Sequence, residues 1–273
     1  MDNRHFSLPL ISFNHDIDER PKSNKFGLHM HDDFEILCVV SGNVGYVVEG
    51  RNYILYPGSV MIMRSAETHK LLINKDDRYE RYILNFRPEM LEKYHFSREL
   101  LKPFTARVLG EKNHYQPSMF SLIKPLDLCR EMERSLSLRF SEESAISFLI
   151  PMLSLLNNAF SDKEKQLEST EKDVGHRLID YVNAHLFESL SLSSIAASVH
   201  VSESHLNRVF RNATGTSVYR YILSKRLIAA QQLIAQGENA QAACQGCGFH
   251  DYSAFYRLYK KHFGISPTAS KPK

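Results

Sequence analysis

The chain has 273 residues, of which 43% are hydrophobic and 24% are charged, and this composition excludes a disordered or fibrous protein. Its length exceeds that of one typical domain, so two domains are expected. The net charge is only +3, but the segment from Glu171 to the end has 12 Lys and Arg against 7 Asp and Glu, a net charge of +5. The preceding residues carry −2, so positive charge is concentrated in the C-terminal third, as in a region that binds phosphate groups.

Membrane and secreted classes are not indicated. No apolar run approaches the length of a membrane span, and the first residues, MDNRHFSLPL, lack the apolar core of a signal peptide. Four cysteines in a chain of this length do not indicate a disulfide framework. We therefore expect a reduced, cytoplasmic protein without a membrane partner.

The first 86 residues predict a small β domain. Residues 1–25 are polar and irregular, and an edge strand, a mobile arm and an arm that covers a ligand are all left open. Short β-type runs follow, separated by turns that contain Gly or Pro. These runs are residues 34–40, 44–48, 52–56, 60–63, 69–73 and 79–86. Short strands at this spacing predict an antiparallel barrel or sandwich.

Three histidines and one glutamate have a spacing that suggests a site in this barrel. They are His29, His31, Glu35 and the later His69. Because side chains alternate along a strand, His29 and His31 face the same way. The spacing resembles the two-part cupin motif, although Arg64 and Ala66 stand where that family often has Pro and Gly. Imidazole and carboxylate groups suit a divalent transition metal, but an effector pocket and ordinary structural histidines remain alternatives.

Two amphipathic helices follow the barrel, along residues 126–140 and 145–160. Ser141 is the expected N-cap of the second helix, and Pro151 should kink it. The two helices either cover an open end of the barrel or form a dimer contact. Residues 161–172 are almost wholly polar and predict a linker, which separates an effector and dimerisation domain at 1–165 from a helical domain at 173–273.

The helical domain contains two similar helix-turn-helix patterns joined by a long helix. Ser191 and Ser202 are expected to cap the two helices of the first pattern, 193–199 and 203–213, and His200 occupies the turn where glycine would be favoured. Residues 216–235 form the joining helix. The second pattern runs from Asn239 through a Gly-Phe turn into residues 248–267, GFHDYSAFYRLYKKHFGISP. Cys244 and Cys247 precede this turn, and we interpret them as small buried side chains because no further pair completes a zinc site.

The second pattern, G-F-x-D-x-S-x-F-x-R-x-x-K-K-x-F-G-x-S-P, resembles the signature of the AraC/XylS family of bacterial transcription regulators. That resemblance implies two recognition helices that enter successive major grooves about 34 Å apart. It implies DNA contacts from the following residues: Ser204, Asn207, Arg208, Arg211, Tyr252, Ser253, Ala254, Tyr256, Arg257 and Lys260. By chemistry, Arg208 suits guanine and Asn207 suits adenine, whereas Arg211 and Lys260 suit phosphates.

The predicted fold is therefore α+β with two domains, a cupin-like antiparallel barrel with following helices and an all-α tandem helix-turn-helix. The predicted function is that of an effector-responsive transcription regulator and not of an enzyme. Its implied partners are double-stranded DNA, a small effector of which sugars are the first class to test, RNA polymerase and a second copy of the chain. Two alternatives remain, a metal-dependent cupin enzyme or metal sensor fused to a DNA-binding module and a constitutive DNA-binding protein whose barrel only dimerises.

Overall fold

The computed structural model describes residues 3–21, 29–72, 78–139, 141–164, 174–214 and 216–270. The chain divides into two units, Met1–Thr170 and Glu171–Lys273. The first unit contains strands followed by helices, and the described residues of the second unit contain helices only. The α+β architecture predicted from the sequence is confirmed.

The strands among the described residues of the first unit form two antiparallel sheets. They are β1 (Arg4–Leu8), β2 (Ile11–Asp18), β3 (Phe34–Ser41), β4 (Val44–Val48), β5 (Arg51–Leu55), β6 (Val60–Met63), β7 (His69–Leu72), β8 (Tyr79–Phe86) and β9 (His114–Tyr115). The larger sheet has the order β1-β2-β8-β3-β6-β9, and the smaller sheet has the order β5-β4-β7. The N-terminal segment thus supplies an edge hairpin, which was one of the interpretations left open.

Strand β3 is buried on both faces and separates two hydrophobic cores. Ile36 and Cys38 pack in a core that includes the helices of this unit, whereas Leu37 and Val39 pack in a core with the smaller sheet. This division follows from the alternation of side chains along a strand, and it explains the continuous apolar run of β3. Glu35 shares the face of Leu37 and Val39, so its carboxylate points between the two sheets.

The described residues of the first unit form four α-helices, namely α1 (Glu89–Lys93), α2 (Lys102–Thr105), α3 (Pro125–Leu138) and α4 (Glu142–Glu164). The Ser141 hydroxyl accepts a hydrogen bond of 3.2 Å from the amide of Ser144, as expected for the N-cap of α4. Pro151 lies inside α4. The helix extends four residues into the segment predicted as a linker, and residues 165–172 of that segment lie outside the described residues.

Helix α4 corrects one expectation from the sequence. Residues Glu142–Asp162 have a mean hydropathy of 1.3 and are long enough to cross a membrane, and α4 is alone in this among the described helices. Leu149, Leu153 and Leu156 of this helix are nevertheless completely buried against the larger sheet and its neighbouring helices. The apolar composition of α4 is therefore explained by its packing in the core of the first unit.

The second unit contains α5 (Val174–Ala184), α6 (Leu192–Ser198), α7 (Glu203–Thr214), α8 (Val218–Ala235), α9 (Ala240–Gly246) and α10 (Tyr252–Phe263). The long helix α8 contributes to two cores, because Val218 and Tyr221 pack with α5, α6 and α7, whereas Leu227 and Ile234 pack with α9 and α10. It begins two residues later than predicted, since Ser217 caps it by accepting a hydrogen bond from the Arg220 amide. Two helix-turn-helix units therefore share one connecting helix.

Candidate functional site

The two helix-turn-helix units have the same plan, but their turns differ in length. Residues 199–202 connect α6 to α7, and residues 247–251 connect α9 to α10, so the second turn is one residue longer. His200 and Gly248 occupy the left-handed position of the two turns, with φ of 57° and 75°. The amides at the start of α7 and α10 are capped by Ser202 and Asp251 respectively. The expected strained histidine turn is confirmed.

The extra residue fixes how the two recognition helices correspond. Phe210 of α7 and Tyr259 of α10 are completely buried at equivalent positions, forty-nine residues apart along the chain. The same offset places Arg257 at the position of Arg208, and Lys260 at the position of Arg211; all four side chains are exposed. Two helices with one pattern of outward cations are therefore available to a duplex.

The remaining predicted DNA contacts lie on or beside these faces. Ser204, Asn207 and Ser253 are exposed, whereas Tyr252, Ala254 and Tyr256 are half-buried. The Tyr252 ring packs 5.9 Å from that of Phe255, so it also supports the core of its unit. These six residues surround the cations on α7 and α10.

One neighbour of Arg208 was missed by the sequence reasoning. Nη2 of Arg208 lies 3.0 Å from Nδ1 of His205, one turn earlier on α7. With the lone pair on Nδ1, the imidazole accepts this hydrogen bond and restricts the rotamers of the guanidinium. The i,i+3 spacing of His205 and Arg208 was the available signal.

Arg226 of α8 links the two helix-turn-helix units. Its guanidinium donates hydrogen bonds of 2.7 Å to the carbonyl oxygen of Leu186, 2.6 Å to that of Glu188 and 2.7 Å to that of Gly248. The first two carbonyls belong to the loop that follows α5, and the third belongs to the turn between α9 and α10. One side chain thus bridges the two units, a role that cannot be read from spacing along the sequence.

Cys244 and Cys247 are buried beneath the second turn and are free thiols. Burial raises the pKa of Cys247 to about 11 and also raises the pKa of Cys244. Both thiols are therefore protonated near neutral pH in the absence of a metal, and a protonated thiol is a poor nucleophile. Their packing among Ala240, Ala243 and Phe255 supports the structural interpretation.

Three of the four residues of the predicted barrel cluster, His31, Glu35 and His69, bring their ligand atoms within 4.8 Å of one another, and the exposed His29 lies beside them. His29 pairs with His69 through two backbone hydrogen bonds of 3.1 and 2.9 Å, which places their side chains on one face. The ring of His69 lies 4.1 Å from that of His29 and 5.0 Å from that of His31, measured between centroids. Nε2 of His31 lies 2.9 Å from a carboxylate oxygen of Glu35.

The electrostatics of this cluster follow from burial and from its one carboxylate. Burial would raise the pKa of Glu35, but the hydrogen bond from His31 and the nearby imidazoles lower it to about 2. Burial lowers the pKa of His69 to about 4, against the opposing attraction of Glu35. Burial also acts to lower the pKa of His31, but the hydrogen bond and charge of Glu35 outweigh it and raise that pKa. The cluster therefore combines an ionised carboxylate with a neutral buried imidazole.

The turn before His69 shows why the departure at Ala66 is tolerated. Ala66 has φ of 61°, a left-handed conformation that favours glycine, which is the residue often found there in the cupin motif. Its amide donates a hydrogen bond of 3.1 Å to the carbonyl oxygen of His31. Ala66 keeps the turn geometry with some strain, and the turn holds His31 beside His69.

Comparisons with known proteins agree with this arrangement. Residues 17–147 match the family model of the AraC-like ligand binding domain, and residues 195–271 match a helix-turn-helix domain. The HTH-type transcriptional activator RhaS of Escherichia fergusonii is 25% identical over 256 residues, which are 92% of this chain and 89% of that protein. RhaR of Mannheimia succiniciproducens, also an HTH-type transcriptional activator, is 23% identical over 92% of this chain and 89% of its own.

A search of solved structures finds ToxT from Vibrio cholerae O395, which is 14% identical over 96% of this chain and 97% of that chain, with a TM-score of 0.40. The two matched family models cover most of the present chain, in the order ligand-binding domain and then helix-turn-helix domain. The chain therefore belongs to the AraC/XylS family of DNA-binding transcription regulators.

Proposed function

We propose that this protein activates transcription of a catabolic operon when a small effector, of which sugars are the first class to test, binds in its N-terminal barrel. The observation that carries the proposal is the matched pair of recognition faces on α7 and α10, with exposed cations at equivalent positions. The net charge of +5 on the C-terminal third supports binding to DNA phosphates. RhaS and RhaR are both HTH-type transcriptional activators, which supports activation as the sign of regulation. The site of action is the cytoplasm.

On each recognition helix, some side chains contact bases and others contact phosphates. Arg208 lies in the first half of α7, where a guanidinium reaches the major-groove edge of guanine, and His205 holds it. Asn207 pairs with adenine, and Arg257 repeats the role of Arg208 on α10. Arg211 and Lys260 lie later on their helices and bind phosphates, which position the protein without reading sequence.

The barrel supplies the effector site. The match to the AraC-like ligand binding domain supports this assignment. The Tyr79 hydroxyl is buried between the sheets and has no hydrogen-bond partner among the described residues, so a polar effector would satisfy it. Effector binding then changes how the C-terminal unit engages DNA, which is a coupling between two sites.

Activation also requires protein partners. We propose that the chain forms a homodimer through α3 and α4 and contacts RNA polymerase from its DNA-bound state. Leu138, at the end of α3, has 90% of its surface exposed, which supports a contact there. Sedimentation velocity of the full chain checks the dimer, and a single monomeric species at micromolar concentration contradicts it.

DNA binding is tested with the full chain and an operator obtained by in vitro selection from random duplexes. Fluorescence anisotropy at fixed salt measures Arg208→Ala, Lys260→Ala and the control Arg177→Ala, which removes an exposed cation from α5. We expect Arg208→Ala to lose about 1–3 kcal/mol of binding free energy and to relax specificity at one base. Lys260→Ala should weaken all sequences alike and reduce the salt dependence.

The control separates recognition from general charge, because Arg177→Ala should leave base preference intact. Normal operator binding by both Arg208→Ala and Lys260→Ala would show that these assignments are wrong.

Footprinting of the wild-type chain with a panel of sugars then tests the effector. Unchanged protection with every sugar would remove the sugar class and favour a constitutive DNA-binding protein.

A further inference from the structure

The buried imidazole of His69 has a nitrogen that the described residues do not satisfy. Nδ1 lies 2.8 Å from the backbone carbonyl oxygen of Glu67, and because a carbonyl only accepts, Nδ1 must donate. In the neutral ring this leaves the lone pair on Nε2. Nε2 is fully buried and has no hydrogen-bond partner among the described residues. The carboxylate of Glu35 is 3.9 Å away and is itself an acceptor.

His31 is held in the same way on the other side of that carboxylate. Its Nδ1 lies 2.9 Å from the carbonyl oxygen of Asp33 and must also donate, so its Nε2 faces Glu35 at 2.9 Å. When the ring is neutral, the lone pair of Nε2 meets a carboxylate oxygen, and two acceptors repel each other. A proton on His31 would relieve this contact, but it would leave the lone pair of His69 buried without a partner.

A cation satisfies all three groups at once. We propose that Nε2 of His31, a carboxylate oxygen of Glu35 and Nε2 of His69 bind one divalent transition-metal ion of the zinc type. One ligand atom from each residue lies within 4.8 Å of the others. Ligands of tetrahedral zinc, with bonds of about 2.0–2.1 Å, stand about 3.3 Å apart, and the present separations of 2.9 and 3.9 Å lie on either side of that value.

The surroundings of the three ligands fit the same ion. Each histidine donates its other ring nitrogen to a backbone carbonyl, the arrangement that orients metal-bound imidazoles. Two imidazoles and one carboxylate favour a transition metal over Mg²⁺ or Ca²⁺, which prefer oxygen ligands. The His29 ring lies 4.1 Å from that of His69, measured between centroids, on the exposed side of the cluster, and the three ligands leave the fourth tetrahedral position open.

The ion would join three separate parts of the first unit. His31 precedes β3, Glu35 lies on β3 of the larger sheet and His69 lies on β7 of the smaller sheet. Binding should therefore stabilise the barrel in proportion to the occupancy of the site. This inference does not depend on the effector or on DNA, because it concerns the affinity of the barrel for a metal ion.

The test uses the full chain stripped of metal with a chelator and then dialysed. Isothermal titration with zinc chloride should give one bound ion per chain and a raised melting temperature, and magnesium chloride should give neither. His31→Gln and Glu35→Gln keep the approximate shape of each side chain, and each should weaken zinc binding by about 100-fold or more, since even outer partners of metal ligands cost 10–100-fold. His5→Gln changes an exposed histidine of β1 and should bind zinc as the wild type does.

Cobalt absorption provides a second measurement that a loss of fold does not imitate. The wild-type chain with one equivalent of cobalt chloride should show intense visible bands of a four-coordinate site, and Glu35→Gln should lose them while keeping the wild-type circular dichroism spectrum. Failure of the wild-type chain to bind zinc at micromolar concentration overturns the proposal. So does wild-type zinc affinity in both His31→Gln and Glu35→Gln, because the ion would then lie elsewhere.

Discussion

The two helix-turn-helix units fill equivalent cores with different side chains. In the first helix-turn-helix, the supporting helix α6 contributes the branched side chain of Ile195 and is followed by Val199. In the second helix-turn-helix, the supporting helix α9 contributes only small side chains such as Ala240, Ala243 and Cys244. The alanines suggest a thinner core when only the sequence of α9 is considered. The structure shows that aromatic side chains of the second turn and of α10 occupy the space instead.

Those aromatic side chains form a continuous series. The ring of Phe255 lies 5.0 Å from Phe249 and 5.5 Å from Tyr259, and Tyr259 lies 4.6 Å from Phe263. In the second helix-turn-helix, α10 therefore supplies larger core side chains than α9, whereas in the first helix-turn-helix both α6 and α7 supply large ones.

The two turns also differ in how closely their residues pack against neighbouring segments. His200 is exposed in the first turn. Gly248, in contrast, lies against the carbonyl oxygen of Phe187 and the guanidinium of Arg226, so a Cβ at this position would come within 2.7 Å and 3.0 Å of them. The second turn is therefore packed against Phe187 and Arg226, whereas the first turn is open to solvent. Three substitutions test this difference in packing.

The largest effect is expected from Gly248→Ala. The substitution combines a left-handed backbone with a collision against the Phe187 carbonyl oxygen, and we expect a loss of about 2–4 kcal/mol in the stability of the second helix-turn-helix. Gly246→Ala is the matched control, because nothing lies within 4 Å of its added Cβ and it sits in a helix, where alanine is favoured. Hydrogen exchange of peptides from α9 and α10 measures the local stability of both variants. Equal protection in the two variants would mean that close packing around Gly248 does not stabilise the second helix-turn-helix.

The sequence predicted those features that depend on local signals. Strands at 44–48, 60–63 and 79–86 were predicted to the residue, because alternation and Gly or Pro at the turns are local signals. The caps at Ser191 and Ser202 were also predicted, since they depend on neighbouring residues. A glycine at the second turn was expected, but the contact that requires it was not.

The features that escaped prediction depend on partners distant in the sequence. The hairpin of β1 and β2 has polar strands, and only the pairing of β2 with β8 makes it part of the sheet. Arg226 reaches carbonyl groups 40, 38 and 22 residues away, which no helical periodicity reveals. In the barrel, the spacing predicted which side chains meet, but the unsatisfied nitrogen of His69 is a consequence of its orientation. The predicted base contacts on α7 and α10 remain predictions.

A smaller effect is expected from Arg226→Met, which keeps the aliphatic length but removes three hydrogen bonds to carbonyl groups. We expect a loss of about 1–3 kcal/mol in stability, because a charged donor is removed. We also expect weaker binding to a site with two half-sites, since the two units no longer hold one spacing. Arg220→Met, which removes an exposed arginine from the same helix, is the control. Anisotropy with operators in which the spacing of the half-sites is varied should show a broader preference only for Arg226→Met, and an unchanged spacing preference would contradict the bridging role.

The smallest effect, and the only stabilising one, is expected from His200→Gly in the first turn. The left-handed conformation costs a non-glycine residue about 1–2 kcal/mol, and the extra freedom of glycine in the unfolded chain returns part of this, so the net gain is about 0.5–1 kcal/mol. The backbone hydrogen bond from the His200 amide to the carbonyl oxygen of Ala197 is retained, and the exposed imidazole gives up little packing. Hydrogen exchange should slow in α6 and α7 and stay unchanged in α9 and α10. Slower exchange in both helix-turn-helix units would indicate that the two cores respond together through α8, which would contradict an independent effect of the first turn.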